Sequence, residues 1–309
     1  MGKAYVDQHI VPQSYLKHFA ERNRNNKDYH ICVFGKTRKV KSNPYIRSIG
    51  DIGFVKKIYD VSTRDDPKYW EHYIDRNIES ESGRVINEII SRVVLHNKLI
   101  LQNQEKESIA RFIAFQIMRV PPFFEKRLEE GKEKGKALWG FVEKHFSDRI
   151  IHAQKDILSQ YLLQSNGVKD ILLESITDDE RLKKYANILC LKTWIIIYNN
   201  SDMPFFTSDN PVLLQNIHDN SIGFGNAGIG RPDTLIFFPI SSRIMIEIVP
   251  NRLLQQEQVT DGRVTINNDD YKFILMVNQL QYQNATNEIY FAPWFENSFK
   301  FFHELMSEQ

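Results

Sequence analysis

Leu191-Lys192-Thr193-Trp194-Ile195-Ile196-Ile197-Tyr198 is the point at which the chain changes its period. Before it, from 67 to about 190, apolar residues recur every three or four positions, the spacing of helices that bury one face. Within it, β-branched and aromatic residues follow one another directly, as in a strand. After it, strands are read at 235–240, 243–249 and 288–292, with helices at 271–282 and 295–305. Helices and strands gathered in separate blocks indicate an α+β fold. We expect a helical middle region packed on a mainly antiparallel C-terminal sheet, with a β-hairpin near the N-terminus.

Just beyond that switch lies Phe205-Phe206-Thr207-Ser208-Asp209-Asn210-Pro211-Val212. Apolar residues run into a polar knot, and Pro211 stops any ladder. A strand ending this way sets short polar groups at the rim of a sheet, where loops carry function. Asp209 and Asn210 ahead of proline equally make an Asx turn. With Asn199-Asn200-Ser201-Asp202 as the turn, 191–198 and 205–212 are expected to pair antiparallel. A Gly- and Asn-rich loop over 216–231 is long enough to cover a site.

Upstream, His9-Ile10-Val11-Pro12-Gln13-Ser14-Tyr15-Leu16 opens a short helix with Pro12 in its first turn. Gln13 and His18 look ordinary on it. Residues 29–34 and 38–41 read as a hairpin around Gly35-Lys36-Thr37, and 50–59 as irregular. Tyr69, Trp70, Tyr73, Ile74 and Ile78, then Val85, Ile86, Ile89 and Val93, keep helical spacing, with Gly83 a point of kinking or of separation into two helices. Glu79 and Glu81 lie about 200° apart on such a helix, so at most one points inward. Residues 105–120 form an amphipathic helix, on which Gln116 and Arg119 are neighbours at three apart. Pro121-Pro122 ends it, and 123–146 continues as helix, with the Gly131–Lys136 run read as a solvated face.

The 309 residues suffice for a core without staples, and we expect a single interleaved domain with subregions 1–60, 67–190 and 191–309. Forty basic against thirty-nine acidic residues give a net charge of +1, so no global field draws the chain to nucleic acid or a membrane. Nucleic acid would have to bind through scattered Lys and Arg with aromatics such as Phe123, Trp139 and Tyr161. Two distant cysteines, Cys32 and Cys190, form neither a disulfide framework nor a paired-cysteine zinc site. With no apolar run of membrane length and no secretory signal at the first residues, a cytoplasmic protein is expected.

Taken in order, His9-x-x-Pro12-Gln13-x-Tyr15-Leu16 with Phe19, Ile78-Glu79, Gln116-x-x-Arg119-x-Pro121, Phe206 to Pro211, Phe238-Pro239, Asn278 and Ile289-Tyr290 resemble the domain-of-unknown-function 4238 family, whose members are mostly bacterial. Val120 departs from the pattern, standing where the family often carries Thr. The resemblance brings no agreed activity. It implies that His9, Glu79, Gln116, Arg119 and Asp209, with Asn210 as a weaker member, recur together as one polar cluster.

If they meet, two chemistries follow. His9, Glu79 and Asp209 could hold a divalent metal that activates water, with Arg119 gripping a phosphate and Gln116 orienting it. Without metal, His9 could serve as general base with a carboxylate fixing its tautomer. Both lead to a hydrolase acting on a phosphate-containing substrate, a phosphodiesterase or nuclease. The rival is a binding or sensor module in which Glu79 or Asp209 pairs with Arg119 in a structural network capped by His9 and Gln116.

Overall fold

The computed structural model describes residues 7–22, 28–36, 44–96, 99–146, 149–223, 227–250 and 260–295. The N-terminal block holds β1 (Asp7–His9), α1 (Gln13–Leu16), β2 (Glu21–Arg22), β3 (Tyr29–Gly35), β4 (Tyr45–Ser48) and β5 (Phe54–Lys56). The helical block holds α2 (Tyr69–Ile74), α3 (Ser80–Leu95), α4 (Asn103–Arg119), α5 (Pro121–Phe146), α6 (His152–Leu162), α7 (Ser165–Thr177) and α8 (Asp179–Cys190). The C-terminal block holds β6 (Thr193–Asn199), β7 (Thr207–Ser208), β8 (Leu213–Asn216), β9 (Thr234–Pro239), β10 (Ile244–Val249), β11 (Gly262–Ile266), α9 (Tyr271–Asn284) and β12 (Glu288–Phe291). The fold is α+β.

The strands form two main sheets. One runs β11-β6-β10-β9-β8, antiparallel except where β11 joins β6 in parallel. The other runs β2-β3-β12-β7, with β4 also on β3, so an N-terminal strand and the last strand share one ladder. A third, small ladder pairs β1 with β5, setting His9 opposite Phe54.

Two expectations on pairing need correcting. The 191–198 segment does not pair with 205–212: β6 lies between β10 and β11, whereas β7 pairs with β12 in the other sheet. The reason is that the second stretch spends its backbone elsewhere. Phe205 N–H donates to the Ser242 carbonyl and Phe206 N–H to Asn278 Oδ1, leaving Thr207 and Ser208 to pair. Likewise β3 takes β4 as its hairpin-side partner, while the expected strand at 38–41 lies outside the described residues, as does nearly all of the helix expected at 295–305.

α4 is the hub of the helical block. It opens with a capping box between Gln102 and Glu105, and thirteen of its residues are buried, so it is enclosed nearly all round. Its Phe112 meets Phe238 of β9 at 6.0 Å between ring centroids, and Tyr15 stacks on the same ring at 5.5 Å. The Tyr15 hydroxyl donates to the Pro239 carbonyl at 2.6 Å and lies 2.8 Å from Thr207 Oγ1, tying α1 to both sheets. α4 stops at Val120, which is extended (ψ 141°) because the following proline disfavours helical geometry there, and Pro121 then begins α5.

Candidate functional site

Arg119 sits in the last turn of α4, fully buried, and its guanidinium is occupied within the protein. Nε and Nη2 donate to Gln116 Oε1 at 2.9 and 2.5 Å, and Nη1 donates to Glu79 Oε1. The Phe115 ring lies 4.8 Å from its central carbon, and Tyr59 lies near enough to act on it electrostatically. Burial works against the charge, but Tyr59 and Glu79 more than compensate and the Arg119 pKa is raised. Gln116 uses its amide in both directions: the oxygen takes Arg119, and Nε2 donates to the Ile10 carbonyl at 2.8 Å. Three segments far apart in sequence are thus joined through Arg119 and Gln116 together.

Glu79 reaches that guanidinium because of a local irregularity. Between α2 and α3 the chain makes a π-helical turn over Asp75–Glu79, whose extra residue re-phases the helix by about 100°. The helix runs unbroken through Gly83, against the expectation of a kink; a Cβ there would stand 3.4 Å from Ser14 Oγ, so the glycine lets α1 lie close on α3.

His9 ends β1 directly above this network. Ile10 and Val11 N–H both donate to the carbonyl of Gly53, at 2.8 and 3.1 Å, and Gly53 has φ +64°, a left-handed conformation that glycine adopts without strain. Nε2 of His9 lies 3.3 Å from Gln13 Nε2, and since an amide nitrogen only donates, Nε2 is the acceptor there and the ring proton sits on Nδ1. Burial holds the His9 pKa below its ordinary value; Glu79 pulls it up and Arg119 pushes it down. His9 is therefore a neutral imidazole at pH 7 with its basic nitrogen directed towards Gln13.

That nitrogen faces a cleft of about 540 Å³, lined by His9, Gln13, Tyr59, Lys68, Glu71, His72, Asp75 and Glu79 among others. Tyr59 has its pKa pushed up to about 12 by burial, so its hydroxyl stays protonated and bonds at 3.3 Å to the His9 carbonyl. Glu71 and Asp60 both accept from Gln8 Nε2, at 3.1 and 2.5 Å, and the Gln8 oxygen accepts Tyr59 N–H at 2.7 Å. The cleft thus offers a neutral base, carboxylates and a phenol donor on a rigid frame.

Asp209 and Asn210 belong to a different constellation. The Asp209 carboxylate accepts Thr286 N–H at 2.8 Å and Asn287 N–H at 2.7 Å, and its own N–H donates to the Glu288 carbonyl. Burial raises its pKa to about 6 against the pull of these backbone donors. Asn210 Nδ2 donates to the Asn284 carbonyl at 3.1 Å, Asn210 N–H bonds Ser208 Oγ, and Gln281 Nε2 reaches Ser208 Oγ at 2.5 Å. Asn278 bridges Phe206 N–H and the Pro204 carbonyl, both at 2.9 Å. These groups clamp α9 and the β7 stretch together, and none bonds to His9, Glu79, Gln116 or Arg119. The turn itself is closed by Ser208 Oγ, which accepts Asn210 N–H, and not by an Asx bond from Asp209.

Two expected roles therefore change. His9, Glu79 and Asp209 do not converge as ligands, and among the described residues no group of three or more His, Cys, Asp or Glu side chains could hold a metal ion. Arg119 is a buried brace with its N–H groups engaged, not a fork open to a phosphate. Sequence reasoning passed over Gln13, Tyr59 and Glu71, which line the cleft. Gln13 had a signal, since it lies four residues after His9 within the same short motif; Tyr59 and Glu71 had none beyond ordinary aromatic and helical spacing.

Fold and site define an α+β protein with a polar cleft between its N-terminal segment and the start of its helical block. The chain belongs to the family described as protein of unknown function (DUF4238), whose model matches residues 7–294. No curated protein matches it, and no solved structure does. No helix among the described residues is long and apolar enough to cross a membrane.

Proposed function

We propose that the chain is a hydrolase in which His9 acts as general base in the cleft, taking a proton from a water that attacks the phosphorus of a phosphate ester while the ester P–O bond breaks and the leaving alkoxide takes its proton from solvent. The observation that carries this reading is the His9 ring itself: its pKa lowered by burial, and Nε2 at the cleft held only by the Gln13 amide at 3.3 Å, which the attacking water would displace. A base in this state accepts a proton from water without first having to lose one, which is worth about 10²–10⁴-fold in rate. Lys68, at the cleft wall and 3.8 Å from Glu71, is the cation that would meet an anionic substrate in place of Arg119. Glu79, held by Arg119, stabilises the imidazolium that forms. A phosphodiester, including that of a nucleic acid, is the substrate favoured, and the reaction is placed in the cytoplasm.

The test is turnover of bis(p-nitrophenyl) phosphate, with p-nitrophenyl acetate as a carboxylic ester control and single-stranded RNA and DNA as polymers. The wild-type chain should cleave a phosphodiester, with a rate that rises with pH to a plateau and a midpoint below 6.5. His9→Gln should lower kcat by about 10²-fold or more with little change in Tm, whereas Asp209→Asn should leave kcat unaltered. Equal rates in wild type and His9→Gln would refute the proposal.

The second reading, a binding or sensor module, is favoured by one observation: Gln116 and Arg119 are wholly buried and bonded internally. Under it His9→Gln would lower Tm by several degrees and leave no activity to lose.

A further inference from the structure

A second cavity, of about 970 Å³, lies in the helical block and shares no residue with the His9 cleft. We propose that it binds a soluble amphipathic organic monoanion, a medium-length apolar chain ending in a carboxylate. The cavity exists because of how α5 is placed. α5 packs on α6 and α7, while α8 packs on α4. Two glycines pull α5 that way: a Cβ on Gly135 would stand 2.1 Å from the Leu162 carbonyl oxygen, and one on Gly131 2.9 Å from Val168 Cγ1. α5 therefore leans onto the α6–α7 corner, and a trough opens between it, α7 and α8.

The lining has two characters. Met118, Phe123, Leu138, Leu172, Ile176 and Tyr185 give an apolar floor and walls. The rim carries Arg127, Lys134, Arg181 and Lys184 against Glu130, Asp178 and Glu180, an excess of one positive charge. Arg127 and Glu130 neutralise each other at 2.7 Å, and Asp178 is engaged as the cap of α8, accepting Arg181 N–H at 2.8 Å. Lys134, Arg181 and Lys184 make no ion pair among the described residues, and all three are exposed. An apolar trough of this size with a few convergent polar groups is the usual form of a small-molecule site. The unpaired cations at its edge select a ligand with one negative head. Leu138 and Ile171, about half exposed at 50% and 45%, are the apolar surface such a chain would cover.

Isothermal titration calorimetry with dodecanoate, methyl dodecanoate and dodecylammonium, each below its micellar concentration, tests the assignment. Dodecanoate should bind one to one, with the ester and the cation about tenfold weaker or more, a difference of the size one well-placed charge provides. Arg181→Glu/Lys184→Glu should weaken dodecanoate by about tenfold and leave the ester unchanged. Ser175→Phe, which fills the trough from α7, should abolish binding of both. The proposal is overturned if dodecanoate does not bind, if the ester or the cation binds as well, or if the two variants bind like wild type. It is also overturned if sedimentation shows the wild-type chain dimerising through this face and closing the trough, or if the chain takes up only vesicles of anionic phospholipid. Circular dichroism of each variant identifies a failure to fold, in which case Leu172→Trp, filling the same trough, takes its place. None of these residues lies in the His9 cleft, so the outcome is separate from that of the hydrolase test.

Discussion

Arg119→Met is the most informative single change, because it removes a charge and leaves the packing volume nearly intact. Gln116 Oε1 would lose donors at 2.9 and 2.5 Å inside a fully buried site. An orphaned buried acceptor costs about 1–3 kcal/mol. Glu79 would lose its partner while its side chain stays only 16% exposed, and stranding a carboxylate there costs a similar amount or more. The sum, about 3–5 kcal/mol, agrees with the cost of breaking a buried pair from one side. For a chain of this size that is a fall in Tm of about 6–15 °C. The assay is thermal unfolding followed by circular dichroism, on Arg119→Met, Glu79→Gln and the double variant. With no full negative charge left to strand, the double variant should be more stable than Arg119→Met alone. A fall of less than about 2 °C for Arg119→Met, or strict additivity in the double variant, would refute the claim that this guanidinium braces the fold.

Other outcomes follow from the same accounting. Tyr15→Phe leaves the Pro239 carbonyl and Thr207 Oγ1 without their buried partner, and should cost about 1–3 kcal/mol, read as a lower urea midpoint at unchanged slope. His18 has its pKa lowered to about 4 by burial, with Lys17 adding to the effect. A folded pKa below the unfolded value of 6.5 gives stability that is present above pH 6.5 and is lost as pH falls towards 4. Relative to His18→Gln, the wild type should therefore lose about 3 kcal/mol between pH 7 and pH 4; parallel curves for the two proteins would refute this. Asp209 and Glu247 act in the opposite sense, their pKa values being raised by burial to about 6 and about 7. That opposition is why the difference between the two proteins, and not the wild-type curve alone, is the quantity to measure.

What could be read from the sequence was what repeats locally. α4 declared itself through its apolar spacing and its prolines, and the shift of period at 191 located the sheet. The π turn at 75–79 did not, because one inserted residue hardly disturbs an apolar pattern that spans several turns. β11 escaped notice because it joins its sheet at the edge with Gly262 and Arg263 half-buried and Val264 and Thr265 exposed, so it carries no buried run. Long-range pairing was the harder problem. The meeting of His9, Glu79, Gln116 and Arg119 came from the resemblance and not from periodicity, since no local pattern relates residues so far apart. Asp209 was misplaced for the same reason: its carboxylate is taken by the backbone of Thr286 and Asn287, more than seventy residues away, which its local turn pattern does not announce.

The buried network and the cleft are not rivals once their connection is traced. Gln116 Nε2 holds the Ile10 carbonyl from below, and the Gly53 carbonyl holds Ile10 and Val11 N–H from the side, so the peptide following His9 is pinned by two independent groups. The same Gln116 oxygen anchors Arg119, which in turn fixes Glu79 beside the imidazole. A structural brace is thereby the device that keeps His9 half-buried and neutral. Gln116→Leu should free the Ile10 carbonyl, let water reach the ring, and move the His9 pKa up towards 6.5 as the burial that lowers it is relieved. Proton NMR titration of the His9 ring in wild type and Gln116→Leu measures this directly. A fall in Tm with the His9 titration unmoved would show that the brace supports the fold without setting the state of the base.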